Sequence, residues 1–154
     1  DDLMGQGHYR FADGSVYVGE FSANLFEGTG THTAQNGDQY EGSWRAGKRH
    51  GRGAQSYKSG DSYSGDWNAD VQSGLGVYRA AYGDVYTGRF EKNQFNGHGE
   101  YVWASGARYD GKWVGGQRIG EGTYFYVNGR KYVGLWQHDK WQGRGTYTFA
   151  KGQV

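Results

Sequence analysis

The sequence predicts an all-β chain: an elongated, single-layer antiparallel sheet of about seven β-hairpin units, each 23 residues long. Three observations lead there. The motif Tyr-x-Gly-x-(Trp/Phe) recurs without a slip at Tyr17-Gly19-Phe21, Tyr40-Gly42-Trp44, Tyr63-Gly65-Trp67, Tyr86-Gly88-Phe90, Tyr109-Gly111-Trp113 and Tyr132-Gly134-Trp136. A Gly-x-Gly pair keeps the same beat, from Gly5/Gly7 and Gly28/Gly30 through to Gly143/Gly145, and a single glycine follows it at Gly14, Gly37 and their successors. Within each unit, side chains alternate with period two, which is the signature of a strand.

The unit from Gly97 to Trp113 shows how each element arises. Its first half alternates Gly99, Tyr101 and Trp103 with Glu100 and Val102, and its second alternates Tyr109, Gly111 and Trp113 with Asp110 and Lys112. Between them lies Ala-Ser-Gly-Ala, matched elsewhere by Gln-Asn-Gly-Asp at 35–38 and Val-Asn-Gly-Arg at 127–130. Asn-Gly and Asp-Gly favour tight hairpin turns with two positive-φ residues, so the turn is expected here. A short polar loop, such as Arg45 to His50, is expected to carry the chain to the next unit. The alternation puts Tyr, Gly and Trp on one face and mostly polar residues, such as Glu41/Ser43 and Ser64/Asp66, on the other. Rings from one strand can cover the bare glycine backbone of the next. No single hairpin is stable alone, so stacking of neighbours supplies the stability. Seven hairpins would extend on the order of 65 Å at the usual strand spacing.

Composition excludes several alternatives. Nearly all of the 30 glycines among 154 residues fall in the periodic columns, which argues against a flexible linker, and the absence of proline excludes collagen. With 14 Tyr, 7 Phe and 6 Trp against few aliphatic residues, the buried material is ring against backbone. There is no cysteine, hence no disulfide framework or thiolate site, which fits a reducing, cytoplasmic compartment. No apolar run reaches the roughly 20 residues of a membrane span, and no signal peptide is visible. A net charge of +1 gives no long-range pull toward nucleic acid.

The segment Tyr40-Glu-Gly-Ser-Trp-Arg-Ala-Gly-Lys-Arg-His-Gly-Arg-Gly53 closely resembles the MORN repeat (membrane occupation and recognition nexus), and the resemblance covers residues 1–154 as a single array of about six and a half repeats. It implies a single-layer sheet with an aromatic, glycine-lined groove. It also implies a scaffold at membrane-associated cytoskeletal structures that self-associates or holds partner peptides. The chain departs from the pattern where His32 and Gln55 replace the aromatic found as Tyr9, Tyr78, Tyr101, Tyr124 and Tyr147, and where Ala34 and Ala80 replace the next one. The second and third units are therefore expected to have a shallower aromatic face. The chain begins and ends in mid-repeat and reads as a fragment of a longer array.

No constellation for catalysis emerges. His8, His32, His50, His98 and His138 fall in different columns and build no common site, and no Gly-x-Gly continues into a phosphate-binding helix. The expectation is no enzyme, no cofactor and no metal; His138-Asp139 has ligand chemistry but reads as solvated loop. Three binding readings remain. The groove would be lined by Tyr17, Phe21, Tyr40, Trp44, Tyr63, Trp67, Tyr86, Phe90, Tyr109 and Trp113, and would hold a helix or extended peptide. A homodimer would form through the aromatic last unit: Tyr124, Tyr126, Tyr132, Trp136, Trp141, Tyr147 and Phe149. Arg45, Lys48, Arg49 and Arg52, with His50, form the one basic cluster suited to anionic phospholipid.

Overall fold

The computed structural model describes residues 4–149. They form thirteen strands: β1 (Gly5–Arg10), β2 (Val16–Ser22), β3 (Leu25–Thr33), β4 (Gln39–Arg45), β5 (Lys48–Ser56), β6 (Ser62–Asn68), β7 (Val71–Arg79), β8 (Val85–Glu91), β9 (Gln94–Val102), β10 (Arg108–Val114), β11 (Gln117–Phe125), β12 (Lys131–Gln137) and β13 (Lys140–Thr148). Every strand pairs antiparallel with its neighbours in chain order, giving one open meander sheet. Its twelve inter-strand steps extend about 58 Å.

The turns exchange the places the sequence suggests for them. In the Asn-Gly segments only the glycine has positive φ: Gly37 stands at 100°, its N–H donates to the Ala34 carbonyl at 3.0 Å, and the Ala34 N–H donates to the Asp38 carbonyl at 2.8 Å. This is a type I turn closed by one left-handed glycine. The tight two-residue turns lie instead between units, at Ala23-Asn24, Ala46-Gly47, Ala69-Asp70, Lys92-Asn93, Gly115-Gly116 and His138-Asp139, where both residues have positive φ. The supposed loop from Arg45 to His50 is thus strand almost throughout, because Arg45 pairs directly with Lys48.

Next to this turn, the strand pair of each unit carries a bulge. Trp44 faces Arg49 and Gly42 faces Gly53, so Ser43 opposes the three residues 50–52, and Gly51 sits there at φ 83°. The first glycine of each Gly-x-Gly pair serves this left-handed bulge position. The second serves close approach: a Cβ on Gly53 would lie inside the Tyr40 ring.

The core is a row of rings on one side of the sheet. Tyr40 meets Trp44 edge-on at 4.8 Å and Trp67 at 5.5 Å, and the same contacts recur at Tyr63–Trp67, Tyr63–Phe90, Tyr86–Trp113 and Tyr109–Trp136. Each indole donates back across the sheet, as from Trp44 Nε1 to the Gly30 carbonyl at 3.0 Å and from Trp67 Nε1 to the Gly53 carbonyl at 3.1 Å.

Side chains also staple successive units at both edges. At the two-residue turns, Asp70 Oδ1 accepts from the Arg49 N–H at 2.9 Å while the Asp70 N–H donates to the Arg49 carbonyl; Asn93 clasps Gln72 and Asp139 clasps Arg118 in the same way. At the other edge, Asp38, Asp61 and Asp84 accept from the N–H groups of Lys58, Ala81 and Ala104.

Candidate functional site

The ten rings expected to line the groove are floor rather than lining. Tyr17, Tyr40, Tyr63, Tyr86 and Tyr109 are at most 1% exposed, and Phe21, Trp44, Trp67, Phe90 and Trp113 are buried beside them. Burial pushes the Tyr40, Tyr63 and Tyr109 hydroxyls up to about 12, and each donates to a carbonyl three residues on. What solvent meets is a second storey carried by the odd-numbered strands and the residues that directly follow them: Phe11, Phe26, Tyr78, Phe95, Tyr101, Trp103, Tyr124 and Tyr126, all half-buried on that row.

One column of this storey escaped sequence reasoning. Positions 26, 49, 72, 95, 118 and 141 hold Phe, Arg, Gln, Phe, Arg and Trp. Phe26, Phe95 and Trp141 stack flat on Tyr17, Tyr86 and Tyr132, at 3.8, 3.8 and 4.6 Å. In the arginine units a guanidinium takes the place of the ring. Arg49 lies 4.2 Å from the Trp67 ring centre, its Nε 3.1 Å from Asp70 Oδ1 and its Nη1 donating to Gln55 Oε1. Arg118 lies 4.7 Å from Trp136 and is held by Asp139. Tabulating this column on the 23-residue beat would have revealed the substitution.

The basic cluster therefore disperses. Arg49 turns onto the aromatic face, Arg52 crosses to the opposite face with its Nε 3.3 Å from Asp66 Oδ1, and Arg45 and Lys48 remain exposed at the turn. His138 and Asp139 are likewise engaged, with Gln117 and Arg118. Among the described residues no group of three His, Cys, Asp or Glu side chains could hold a metal ion.

Where rings are missing, the face is hollow. A cavity of about 370 Å³ opens between the second and third units, bounded by Phe26, His32, Ala34, Arg49, Gln55 and Tyr57. A second, of about 670 Å³, follows across Arg49 and Tyr57, toward Gln72 and Tyr78. His32 is held below the usual imidazole range by burial first, and Arg49 nearby acts in the same direction. Farther along, Tyr101 and Trp103 fill the corresponding space, with Trp103 5.3 Å from Tyr124, before a cavity of about 450 Å³ opens beside Arg118, Tyr124, Tyr126 and Trp141.

The C-terminal aromatics divide. Tyr132 and Trp136 are buried in the ring row, and Tyr124 and Tyr126 are half-buried. Trp141, Tyr147 and Phe149 are 51%, 38% and 60% exposed on and just after β13.

Among solved structures, the fold is similar to the TCP domain of SAS-4 (dCPAP) from Drosophila melanogaster, solved in complex with a proline-rich motif of Ana2 (dSTIL). The match has a TM-score of 0.50 and 17% identity over 84% of this chain and 77% of that one, a likeness of fold alone. Comparison with curated proteins finds no match. The family model described as the MORN repeat matches at residues 1–16, 17–39, 40–62, 63–85, 86–108, 109–129 and 132–154. With spacing, glycines, ring row and matched segments in agreement along its length, the chain belongs to the MORN-repeat family.

Proposed function

We propose that this chain is a non-catalytic scaffold whose aromatic face docks an extended segment of a partner protein. One observation carries the reading: a storey of half-buried rings, interrupted by hollows, lies on one face of a single-layer sheet, with no second layer of the described residues over it. Family membership points to an interaction or membrane-associated module, and the structural neighbour's complex with a proline-rich motif is a precedent for a peptide partner of such a fold. A place at a membrane-associated cytoskeletal structure belongs to the same proposal and rests on the family. Among the described residues no helix is long and apolar enough to cross a membrane. Selection of displayed random peptides on the immobilised chain tests the reading. Enriched peptides that bind at least tenfold more weakly to Tyr57→Ala or Trp103→Ala support it. Failure to enrich any peptide, or binding indifferent to both changes, overturns it.

Self-association is a second reading, favoured by the exposure of Trp141, Tyr147 and Phe149. Light scattering across a concentration series reads it directly: a mass near twice 17.2 kDa that falls to one copy in Trp141→Ala plus Phe149→Ala. A monomer at all concentrations removes it. Anionic lipid is the third reading, and its informative variant is Arg45→Glu plus Lys48→Glu, because changing Arg49 would also break its Asp70 contact. Vesicle sedimentation that ignores this variant would remove the turn cations from consideration.

A further inference from the structure

Resting on the docking reading above, we infer that the partner is a basic, proline-containing segment in polyproline II conformation. It lies along the array over the second to fourth units, with residues three apart entering the two neighbouring hollows.

The argument starts from spacing. Each unit contributes two strands, so equivalent positions recur about every 9.6 Å along the sheet. The two hollows lie on either side of Arg49 and Tyr57, one unit apart. An occupant of both must present side chains on one face at that interval. A polyproline II helix does so with every third residue, at about 9.3 Å per turn. A β-strand offers the same face about every 6.6 Å or 13 Å, out of step with the units. An α-helix comes nearest with seven residues, about 10.5 Å, and drifts around its axis as it goes.

The chemistry of the hollows agrees. In them His32, Ala34, Gln55 and Gln72 stand where other units carry rings, beside slots walled by Phe26, Trp44, Tyr57 and Trp67. Flat aromatic walls suit a prolyl ring, and a preformed polyproline II chain loses little conformational freedom on binding. At the floor, Gln55 Nε2 donates one N–H to the Ser56 carbonyl at 3.2 Å, and its second N–H suits the carbonyls that such a chain leaves unpaired. The charges select a cation. Arg49 is satisfied by Asp70 at 3.1 Å, while Asp38 and Asp61 border the second hollow against Lys58. Oδ1 of Asp38 accepts the Lys58 N–H and Oδ1 of Asp61 accepts the Ala81 N–H. An arginine or lysine beside the prolines would meet these carboxylates.

Fluorescence anisotropy of the intact chain provides the test. The probe is a labelled peptide with one arginine followed by four Pro-Ala-Ala triplets. Its control has the same composition but prolines at alternating spacings of two and four. The inference expects the regular peptide to bind at least tenfold more tightly than the control. It also expects weaker binding when the peptide arginine becomes glutamate, and at least tenfold loss on Gln55→Tyr or Ala34→Trp. Those substitutions fill the slots with side chains that other units already carry at these positions, so the fold is retained. Equal binding of both peptides, or binding unaffected by slot filling, overturns the polyproline register while leaving a peptide-docking scaffold standing. No binding of either peptide, with capture of an amphipathic helical peptide instead, overturns it in favour of a helix. Silence toward all of them sinks both this inference and the docking reading.

Discussion

Tyr40 spreads across Gly42 and Gly53 and donates its hydroxyl proton to the Ser43 carbonyl at 2.8 Å. That contact recurs down the array, and it makes the second glycine of each pair the least replaceable residue. Gly53→Ala should cost about 3 kcal/mol or more, because the methyl and a buried ring compete for one space in a core that cannot relax. Tyr40→Phe should cost about 1 kcal/mol, the value of one hydrogen bond whose carbonyl keeps few alternatives. Urea midpoints of the two variants order them. The tyrosines also set an alkaline limit. Tyr17, Tyr40, Tyr63 and Tyr109 are pushed from 10.0 to about 12 by burial. Below pH 10 both states hold these protons and the fold keeps its full stability. Between pH 10 and 12 the unfolded chain ionises first, so stability falls as pH rises. Urea midpoints measured from pH 8 to 12 should be flat and then drop across that window. A flat profile to pH 12 would contradict the burial argument.

At the scale of strands and turns, the two-residue connections are the weak link. Ala46 holds φ 49° and Ala69 holds φ 47°, conformations that cost an alanine on the order of 1 kcal/mol. Ala46→Asn creates Asn-Gly, the residue pair this turn prefers, without adding freedom to the unfolded chain. It should raise stability by about 0.5 kcal/mol, read as a higher urea midpoint at unchanged slope. The strands themselves were legible from sequence because six copies of Tyr-x-Gly-x-(Trp/Phe) agree on which side chains share a face. The turns were not. Gln-Asn-Gly-Asp carries a strong local turn signal, but the bulge at Gly51 decides the register, and register decides which connection is tight. The hollow second and third units were visible in His32, Ala34 and Gln55. Arg49 was misplaced because a cation beside Lys48 reads as surface until its cross-strand partner, Trp44, is known. Burial of the floor rings was equally hidden, since alternation tells which face a ring takes and not what lies above it.

Across the whole molecule, strand pairing joins only neighbours in chain order and ring contacts such as Tyr40–Trp67 reach no farther than the next unit, so stability should behave as a sum over units and their junctions. Removing residues 63–85 joins Ser62 to Tyr86 in the frame of the repeat. The shortened chain should still fold, with a urea slope lower by about one-seventh, in proportion to the surface lost. Removing half that length would turn one set of rings to the opposite face and should abolish cooperative unfolding. Loss of folding in the first deletion would show instead that the units are not interchangeable.

The staples at the two edges differ in sense. At one edge the earlier unit owns the acceptor, as Asp38 does for Lys58; at the other the exchange is mutual, the Arg49 carbonyl accepting from the Asp70 N–H while Asp70 Oδ1 accepts from the Arg49 N–H. A chain emerging from the ribosome thus finds both edges already equipped to receive it, because Asp38 and the Arg49 carbonyl wait before Lys58 and Asp70 are made. Only the second edge gains a further bond when the following turn has been synthesised and can reach back. Growth of the sheet is therefore ratcheted in the direction of translation: each new unit docks on an acceptor left by its predecessor, then locks that predecessor from behind.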